Sequence, residues 1–246
     1  MKIFGQTDTG KVRDNNQDSF RIVNINENLK LGVVCDGMGG AAGGSTASTT
    51  ACDEFIRIVR EFLREHSNEN EYEAALRTGI EGANDKVYTM SQNTKDLEGM
   101  GTTLCAVLTD GKKVWAVSVG DSRIYMFSNN KAMQISHDHS YVQILIDSGA
   151  ITKEESLTHP NKNIITQAVG TQSSVEYDTY VMDFDMDGLL LCSDGLSNYI
   201  SENELNEIFR LSCQNEETLA GHLISRANDA GGADYITALV IIPEKA

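Results

Sequence analysis

The sequence predicts an α+β fold in which helices cover antiparallel sheets. About nine short apolar runs, which alternate with polar residues or are rich in β-branched residues, indicate strands. Two long stretches carry apolar residues at helical spacing, and both lie between the third and fourth of these runs. Because helices do not alternate with strands along the chain, parallel βαβ units are disfavoured and antiparallel layers are expected.

The predicted strands are short and end at polar or glycine-containing turns. In chain order they are KIFGQTDT (2–9), DSFRIVNI (18–25), KLGVVCD (30–36), TTLCAVLTD (102–110), KVWAVSVGD (113–121), RIYMFSN (123–129), TYVMDFDM (179–186), GLLLCSD (188–194) and ITALVII (236–242). The connections TDGKKV and FSNNKA favour hairpins, because Gly111, Asn129 and Asn130 tolerate positive φ.

The apolar spacing predicts five helices. In the first two, residues such as Phe55 and Val59, or Leu76 and Ile80, recur every three to four positions and form one apolar face. The predicted helices run from Ser45 to about Glu65, from Glu71 to about Met90, over SYVQILIDSG (140–149), from Glu202 to Leu211 and from Glu216 to Asn228.

Composition restricts the class of protein. The 246 residues include 20 basic and 36 acidic side chains, a formal net charge of −16 that disfavours nucleic acid and anionic membranes as partners. No apolar run is long enough for a membrane span, and the first residues do not resemble a secretory leader. The five cysteines are far apart and mostly within apolar runs, which favours reduced core thiols and a cytoplasmic location. Residues 1–246 are expected to form a single domain.

Four aspartates lie at or beside the ends of predicted strands. They are Asp36, Asp121, Asp194 and Asp234. A single Asp-Gly pair most often marks a turn, but four such strand ends indicate a site for a hard divalent cation, since Mg²⁺ and Mn²⁺ prefer oxygen ligands. Asp36 is the best candidate to contact two ions, because Gly37 lets a backbone carbonyl approach without a Cβ in the way.

Other chemistries fit less well. GMGGAA (37–42) matches a dinucleotide fingerprint, but the βαβ alternation and a ribose-binding acid are missing, and no Lys-Ser or Lys-Thr follows the glycines as in a phosphate-binding loop. No cysteine has an arginine six positions later, which disfavours a cysteine-dependent phosphatase. His137 and His139 lack a third His or Cys at zinc spacing and are expected to form ordinary hydrogen bonds.

Eight ordered motifs resemble the metal-dependent protein serine/threonine phosphatases of type 2C in their bacterial single-domain form. They are TDTGKVRDNNQDSF, VVCDGMGG, GTTLCAV, VSVGDSRIYMF, HDHSYVQILIDSGAIT, HPNKNIITQAVG, LLLCSDGL and GGADYITALVI. The resemblance covers almost the whole chain. It implies a four-layer α-β-β-α sandwich of two antiparallel sheets flanked by helices, with segment 140–165 as a flap beside the active site.

The resemblance also implies a metal-binding role for each matching carboxylate. Asp36 would bridge two Mn²⁺ or Mg²⁺ ions, with the Gly37 carbonyl on one of them. Asp194 and Asp234 would bind the other ion, and Asp121 together with Asp194 would hold a third, weaker ion. The implied reaction is direct attack on phosphorus by a hydroxide that bridges the two ions, without a phosphoenzyme.

Two further residues receive roles from the resemblance. Asp18 would act on the metal centre through bound water, and Arg13 would grip the substrate phosphate with two N–H groups. The residues alone would favour a surface ion pair between Arg13 and Asp14 or Asp18. The implied partners are phosphorylated proteins and an opposing serine/threonine kinase, and the chain is expected to be a monomer.

Five positions depart from the family pattern. Gln17 replaces the usual Glu, Ala41 replaces a His, Gln167 replaces an Arg and Tyr235 replaces an Asn. Met38 lies where animal members have a His that is proposed as the general acid. None of them removes a carboxylate expected to bind metal. A catalytically silent member that binds phosphoproteins is the alternative function, and a nucleotide-binding oxidoreductase is a third.

Overall fold

The computed structural model describes residues 1–65, 68–129, 131–212 and 216–244. Within these ranges the chain forms two antiparallel sheets with helices on both outer faces, which confirms the α+β fold and the four-layer arrangement. The predictions for Asn130 and Cys213 lie outside the described residues. The other cysteines, Cys35, Cys52, Cys105 and Cys192, are buried free thiols.

The strands agree closely with the apolar runs. They are β1 Lys2–Asp8, β2 Asp18–Asn24, β3 Lys30–Met38, β4 Gly101–Thr102, β5 Leu104–Thr109, β6 Lys113–Val119, β7 Arg123–Ser128, β8 Lys131–Gln134, β9 Asp178–Asp183, β10 Gly188–Cys192 and β11 Ile236–Ile242. One sheet has the order β1-β11-β10-β7-β8, and the other has the order β2-β3-β5-β6-β9, with β4 paired to β3. All the pairs are antiparallel.

The longer helices cover the outer faces of the two sheets. In chain order the helices are α1 Gly40–Glu65, α2 Tyr72–Asn93, α3 Tyr141–Asp147, α4 Lys153–Ser156, α5 Asp194–Ser197, α6 Glu202–Ser212 and α7 Leu219–Asp229, with short 3₁₀ turns at Glu69–Glu71, Lys95–Leu97 and Glu216–Thr218. None of the helices in the described part of the chain is long and apolar enough to cross a membrane.

Alternation along the strands builds three apolar layers. In β3, Leu31 and Val33 face the cluster formed with α1 and α2, whereas Val34 faces the other sheet. In β11, Val240 faces the cluster formed with α6 and α7, whereas Leu239 lies between the sheets. Successive side chains of a strand point to opposite faces, so each central strand contributes to two clusters. This is why strands buried on both faces appear as continuous apolar runs.

The predicted helix boundaries shift at glycines. We expected α1 to begin at Ser45, but it begins at Gly40, because Gly39 and Gly40 adopt φ values of 121° and 75° and turn the chain directly from β3 into the helix. A Cβ on Gly39 would lie 2.6 Å from the Cα of Met100. The GMGG segment is therefore a tight strand-to-helix turn at one end of the sandwich.

Candidate metal centre

The strand-end aspartates meet at one end of the two sheets. Antiparallel pairing places the end of β3 beside the start of β2 and the end of β10 beside the start of β11, and Asp121 follows the end of β6. A cleft of about 630 Å³ opens there. It is lined by Val12, Arg13, Asp14, Asn15, Gln17, Asp36, Gly37, Met38, Gly39, Gly40, Thr103, Asp121, Asn163, Ile165, Asp194, Asp234 and Tyr235. Of the residues assigned a role from the sequence, all except Asp18 line this cleft.

Two threonines hold the backbone of Asp36 in place. The Asp36 amide donates to Thr103 Oγ1 at 2.9 Å, and the Asp36 carbonyl accepts from Thr102 Oγ1 at 2.8 Å. Thr103 Oγ1 also bonds Ser122 Oγ at 2.7 Å, which connects the Asp36 strand to the loop that carries Asp121. These hydroxyls fix where two of the carboxylates enter the cleft.

The chain around Gly37 is packed backbone against backbone. A Cβ on Gly37 would lie 2.1 Å from the Gly44 carbonyl oxygen, so only glycine fits here. Gln17 Nε2 donates to the Gly40 carbonyl at 2.8 Å. A glutamate at position 17 could make this bond only when protonated, so the departure from the family pattern gives the start of α1 a neutral anchor.

Asp18 lies beneath the cleft rather than in its wall. It pairs with Asp36 across β2 and β3 and is 8% exposed. Its Oδ2 accepts from Ser193 Oγ at 2.7 Å and from Thr237 Oγ1 at 2.6 Å. Its buried Oδ1 has no hydrogen-bond partner among the described residues. A carboxylate oxygen buried without a partner is unfavourable and favours a positively charged or proton-donating group nearby.

The crowded carboxyl groups raise one another's pKa values. Burial raises the pKa of Asp36 well above its usual range, and the charges of Asp18, Asp194 and Asp121 raise it further. Burial and the charge of Asp194 raise the pKa of Asp121 to about 8. Burial and the charge of Asp234 raise the pKa of Asp194, although a hydrogen bond with Asp36 opposes this rise. The cleft is therefore strongly electronegative and would stabilise a bound cation.

Arg13 occupies the mouth of the cleft and pairs with Asp234. Its Nη2 donates to Asp234 Oδ2 at 2.9 Å, and the other oxygen of Asp234 accepts from the Tyr235 amide at 2.9 Å. The ion pair with Asp14 or Asp18 that the residues alone would favour is thus replaced by one with a residue 221 positions away. The neighbouring carboxylate raises the pKa of the Arg13 guanidinium, which stays charged.

The loop that carries Asp121 is held by His139. His139 Nδ1 accepts from the Gly120 amide at 3.3 Å, and Nε2 lies 3.1 Å from Asp178 Oδ2. His137 instead pairs with Asp147 at 2.9 Å. The two histidines therefore have separate hydrogen-bonding partners, as expected, and neither lines the cleft.

The donor set fits Mg²⁺ or Mn²⁺. Arg13 is the one basic side chain among the described residues that line the cleft, and none of them is His or Cys. Among the described residues, no group of three or more acidic, histidine or cysteine side chains is already placed to hold a metal ion. Such ions usually bind one or two carboxylates and keep several waters, so a complete protein cage is not required. Release of Asp234 from Arg13 would free one further carboxylate oxygen.

Segment 140–165 lies beside the cleft, and its two ends lie next to each other. It contains α3 and α4, and its ends are joined by a bridge between Ser140 and Ile165. Asn163 and Ile165 line the cleft wall, whereas Lys153 pairs with Glu202 of α6 at 2.7 Å. The assignment of this segment as a flap stays a prediction.

We expect the stability of the metal-free protein to fall as the pH rises from about 4 to about 8. Burial raises the pKa of Asp18 from 3.8 to about 7, and the pKa of Asp121 rises to about 8. The folded state then binds more protons than the unfolded state in this window, so raising the pH favours unfolding. The check is the melting temperature of chelator-stripped protein at several pH values, with Asp18→Asn expected to flatten the slope. A melting temperature that rises with pH over this window would contradict the prediction.

Four hydroxyl residues that hold the site's aspartates were missed from the sequence. Thr102 and Thr103 hold Asp36, while Ser193 and Thr237 hold Asp18. A signal was present, since each hydroxyl lies within or directly beside an apolar strand, where a polar side chain needs a buried partner. Their partners could not be deduced, because they come from distant segments of the chain.

The family model for protein phosphatase 2C matches residues 10–223. The layered fold and the acidic cleft are therefore those of a metal-dependent phosphatase. The chain belongs to the protein phosphatase 2C family, which confirms the resemblance read from the motifs.

Named relatives and solved structures agree with this assignment. A serine/threonine phosphatase stp of Listeria monocytogenes is 38% identical over 240 residues, which cover 96% of this chain and 93% of the relative. The structure of serine/threonine phosphatase Stp1 from Staphylococcus aureus has a TM-score of 0.91 at 35% identity and covers 99% of this chain and 95% of that chain. The catalytic domain of serine/threonine protein phosphatase PstP in complex with two manganese ions has a TM-score of 0.84 at 31% identity, covering 98% and 97%.

Proposed function

We propose that this chain hydrolyses phosphoserine and phosphothreonine in proteins at the acidic cleft. The family assignment and the named relatives support a phosphatase that acts on phosphoserine and phosphothreonine. The observation that carries the proposal is the convergence of Asp36, Asp121, Asp194 and Asp234 on one cleft whose lining includes Arg13 as its cation. Carboxylates serve to bind metal there, and the arginine serves to bind phosphate.

Each carboxylate is assigned a place at the metal centre. Asp36 would contact both of two ions, with the Gly37 carbonyl on one of them and Asp194 and Asp234 on the other. Asp121 and Asp194 would hold a third, weaker ion. Bound there, two Mn²⁺ or Mg²⁺ ions would lower the pKa of a water molecule and neutralise charge on the phosphoryl oxygens. The PstP catalytic domain with two manganese ions supports this number of ions.

The remaining residues orient the reactants. Arg13 is half-exposed at the mouth of the cleft, so its planar fork of N–H groups can reach two phosphate oxygens of an incoming protein. Ser193 and Thr237 hold one oxygen of Asp18, and we assign its buried second oxygen, which has no partner among the described residues, to a water molecule bound at the metal centre. No side chain acts as a covalent nucleophile in this scheme.

The cellular setting follows from the same chemistry. Phosphorylated proteins are the substrate class, and a serine/threonine kinase is the opposing enzyme. Four buried free thiols suit a reducing compartment, and we place the chain in the cytoplasm as a monomer with one domain. The net charge of −16 argues against nucleic acid or an anionic membrane as a partner.

We expect phosphate release from a phosphothreonine peptide to require added metal. The test uses chelator-stripped protein titrated separately with Mn²⁺ and Mg²⁺, since the proposed scheme assigns the activation of water to the bound ions. Release at full rate without metal would overturn the metal-dependent scheme. Metal binding without any release would instead favour the silent phosphoprotein-binding alternative.

A further inference from the structure

The ring of Tyr235 lies beneath the Arg13 guanidinium. The Arg13 Cζ atom is 5.4 Å from the centroid of the ring, within the range of a cation–π contact. Both residues line the acidic cleft. Tyr235 is 8% exposed, whereas the Arg13 side chain is 49% exposed, so a buried ring supports a cation that otherwise faces solvent.

The backbone of Tyr235 is held firmly in place. Its amide donates to Asp234 Oδ1 at 2.9 Å. A Cβ on Gly195 would lie 1.8 Å from the Tyr235 carbonyl oxygen, so the loops of Asp194 and Asp234 pack in direct backbone contact. The Tyr235 hydroxyl makes no hydrogen bond to any of the described residues. The ring, rather than the hydroxyl, is therefore the part of the side chain that acts on Arg13.

The segment that carries Arg13 packs on the same loop. The Lys11 amide donates to the Gly232 carbonyl at 2.6 Å, and a Cβ on Gly10 would lie 2.2 Å from the Asp234 carbonyl oxygen. Beyond these backbone contacts, the guanidinium has two partners in the cleft, the Asp234 carboxylate and the Tyr235 ring. If Asp234 binds a metal ion instead of Arg13, the Tyr235 ring remains as the partner of the guanidinium.

A ring partner leaves the arginine free to bind phosphate. A cation–π contact uses the face of the guanidinium, whereas the N–H donors point outward in its plane. The carboxylate of Asp234, by contrast, occupies one of those donors. Aromatic support therefore positions the cation without competing with a phosphate oxygen.

We propose that Tyr235 is a positioning residue, which holds the Arg13 guanidinium over the cleft for the substrate phosphate while Asp234 binds metal. The inference rests on the proposed phosphate-binding role of Arg13. Tyrosine stands where the family pattern has asparagine, so this support is a feature of the present chain and not part of the general family site.

The test compares Tyr235→Leu, which removes the π system, with Tyr235→Phe, which retains it. With Mn²⁺-loaded protein, we expect Tyr235→Leu to raise both the KM for a phosphothreonine peptide and the inhibition constant of inorganic phosphate by about three- to thirtyfold, with kcat less affected. Tyr235→Phe should retain the wild-type KM and the wild-type inhibition constant of phosphate. If Tyr235→Leu does not fold, Tyr235→Asn, which carries the family residue, takes its place.

A matched control comes from a second cation–π pair away from the cleft. Arg77 Cζ lies 6.0 Å from the centroid of the Tyr177 ring, so Tyr177→Leu removes a similar contact and should leave phosphate inhibition unchanged. In an Arg13→Ala background, Tyr235→Leu should have no further effect. An equal loss in that background, or wild-type inhibition by phosphate in Tyr235→Leu itself, would overturn the inference. If Arg13→Ala alone leaves phosphate inhibition unchanged, the proposed role of Arg13 fails as well.

Discussion

Replacing Asp36 by alanine is expected to lower the rate of metal-dependent phosphate release by about a thousandfold or more. This carboxylate is the one proposed to contact both ions, so its loss would weaken the binding of both at once. A thousandfold corresponds to about 4 kcal/mol of lost transition-state stabilisation, which is within the several kcal/mol that metal ions supply. The measurement is kcat/KM for a phosphothreonine peptide at saturating Mn²⁺.

The loss should come from chemistry and not from unfolding. Asp36 is crowded by Asp18, Asp194 and Asp121, so alanine relieves repulsion and should raise the melting temperature of the metal-free protein. Asp53→Ala is the matched control, because this exposed aspartate pairs with Arg21 outside the cleft. A folded Asp36→Ala protein with wild-type turnover would refute the proposed metal centre.

Replacing Arg123 by methionine is expected to destabilise the protein by about 3–5 kcal/mol. Arg123 Nη2 and Nε donate to Asp138 Oδ2 at 2.7 and 2.9 Å, and Asp138 is 6% exposed. Gln134 Nε2 donates to the other oxygen of Asp138 at 2.7 Å. Without the arginine, a buried carboxylate would lose its counter-charge, which accounts for the large expected effect. The measurement is urea unfolding of chelator-stripped protein.

An exposed ion pair provides the control for this effect. Arg21 pairs with Asp53 at 3.0 Å, with both side chains more than a third exposed, so Arg21→Met should cost at most about 1 kcal/mol. Adding Asp138→Leu to Arg123→Met should recover part of the lost stability, since it removes the unpaired charge. A loss of less than about 1 kcal/mol in Arg123→Met would show that this buried pair does not stabilise the fold.

The elements that were predictable from the sequence are those with a strong local pattern. Strands such as β10 and β11 are continuous apolar runs, and the helical spacing of Phe55 and Val59 placed α1. Two strands were not among the nine predicted: β8, implied only by the FSNNKA hairpin, and the two-residue β4, which was merged with β5. Two four-residue helices, α4 and α5, were not among the five predicted, because segments this short carry no helical spacing of apolar residues.

The carboxylates of the site could be predicted from their positions in the sequence, whereas the hydrogen-bonding partners of the site residues could not. Aspartates at strand ends indicated an acidic cleft, and the structure brings them together at one end of the two packed sheets. The ion-pair partner that neighbouring residues suggest for Arg13 was wrong, because its partner Asp234 is 221 positions away. The hydroxyls that support Asp18 come from β11 and the end of β10, so only the assembled fold shows them.

The most direct test of the metal-dependent phosphatase mechanism compares ion occupancy with phosphate release in one sample. Chelator-stripped protein is titrated with Mn²⁺, and bound ions and the initial rate of phosphothreonine peptide hydrolysis are measured at each step. We predict that the rate rises as two sites fill and reaches a plateau when they are saturated. Filled sites without phosphate release, or full release before any ion binds, would contradict this mechanism.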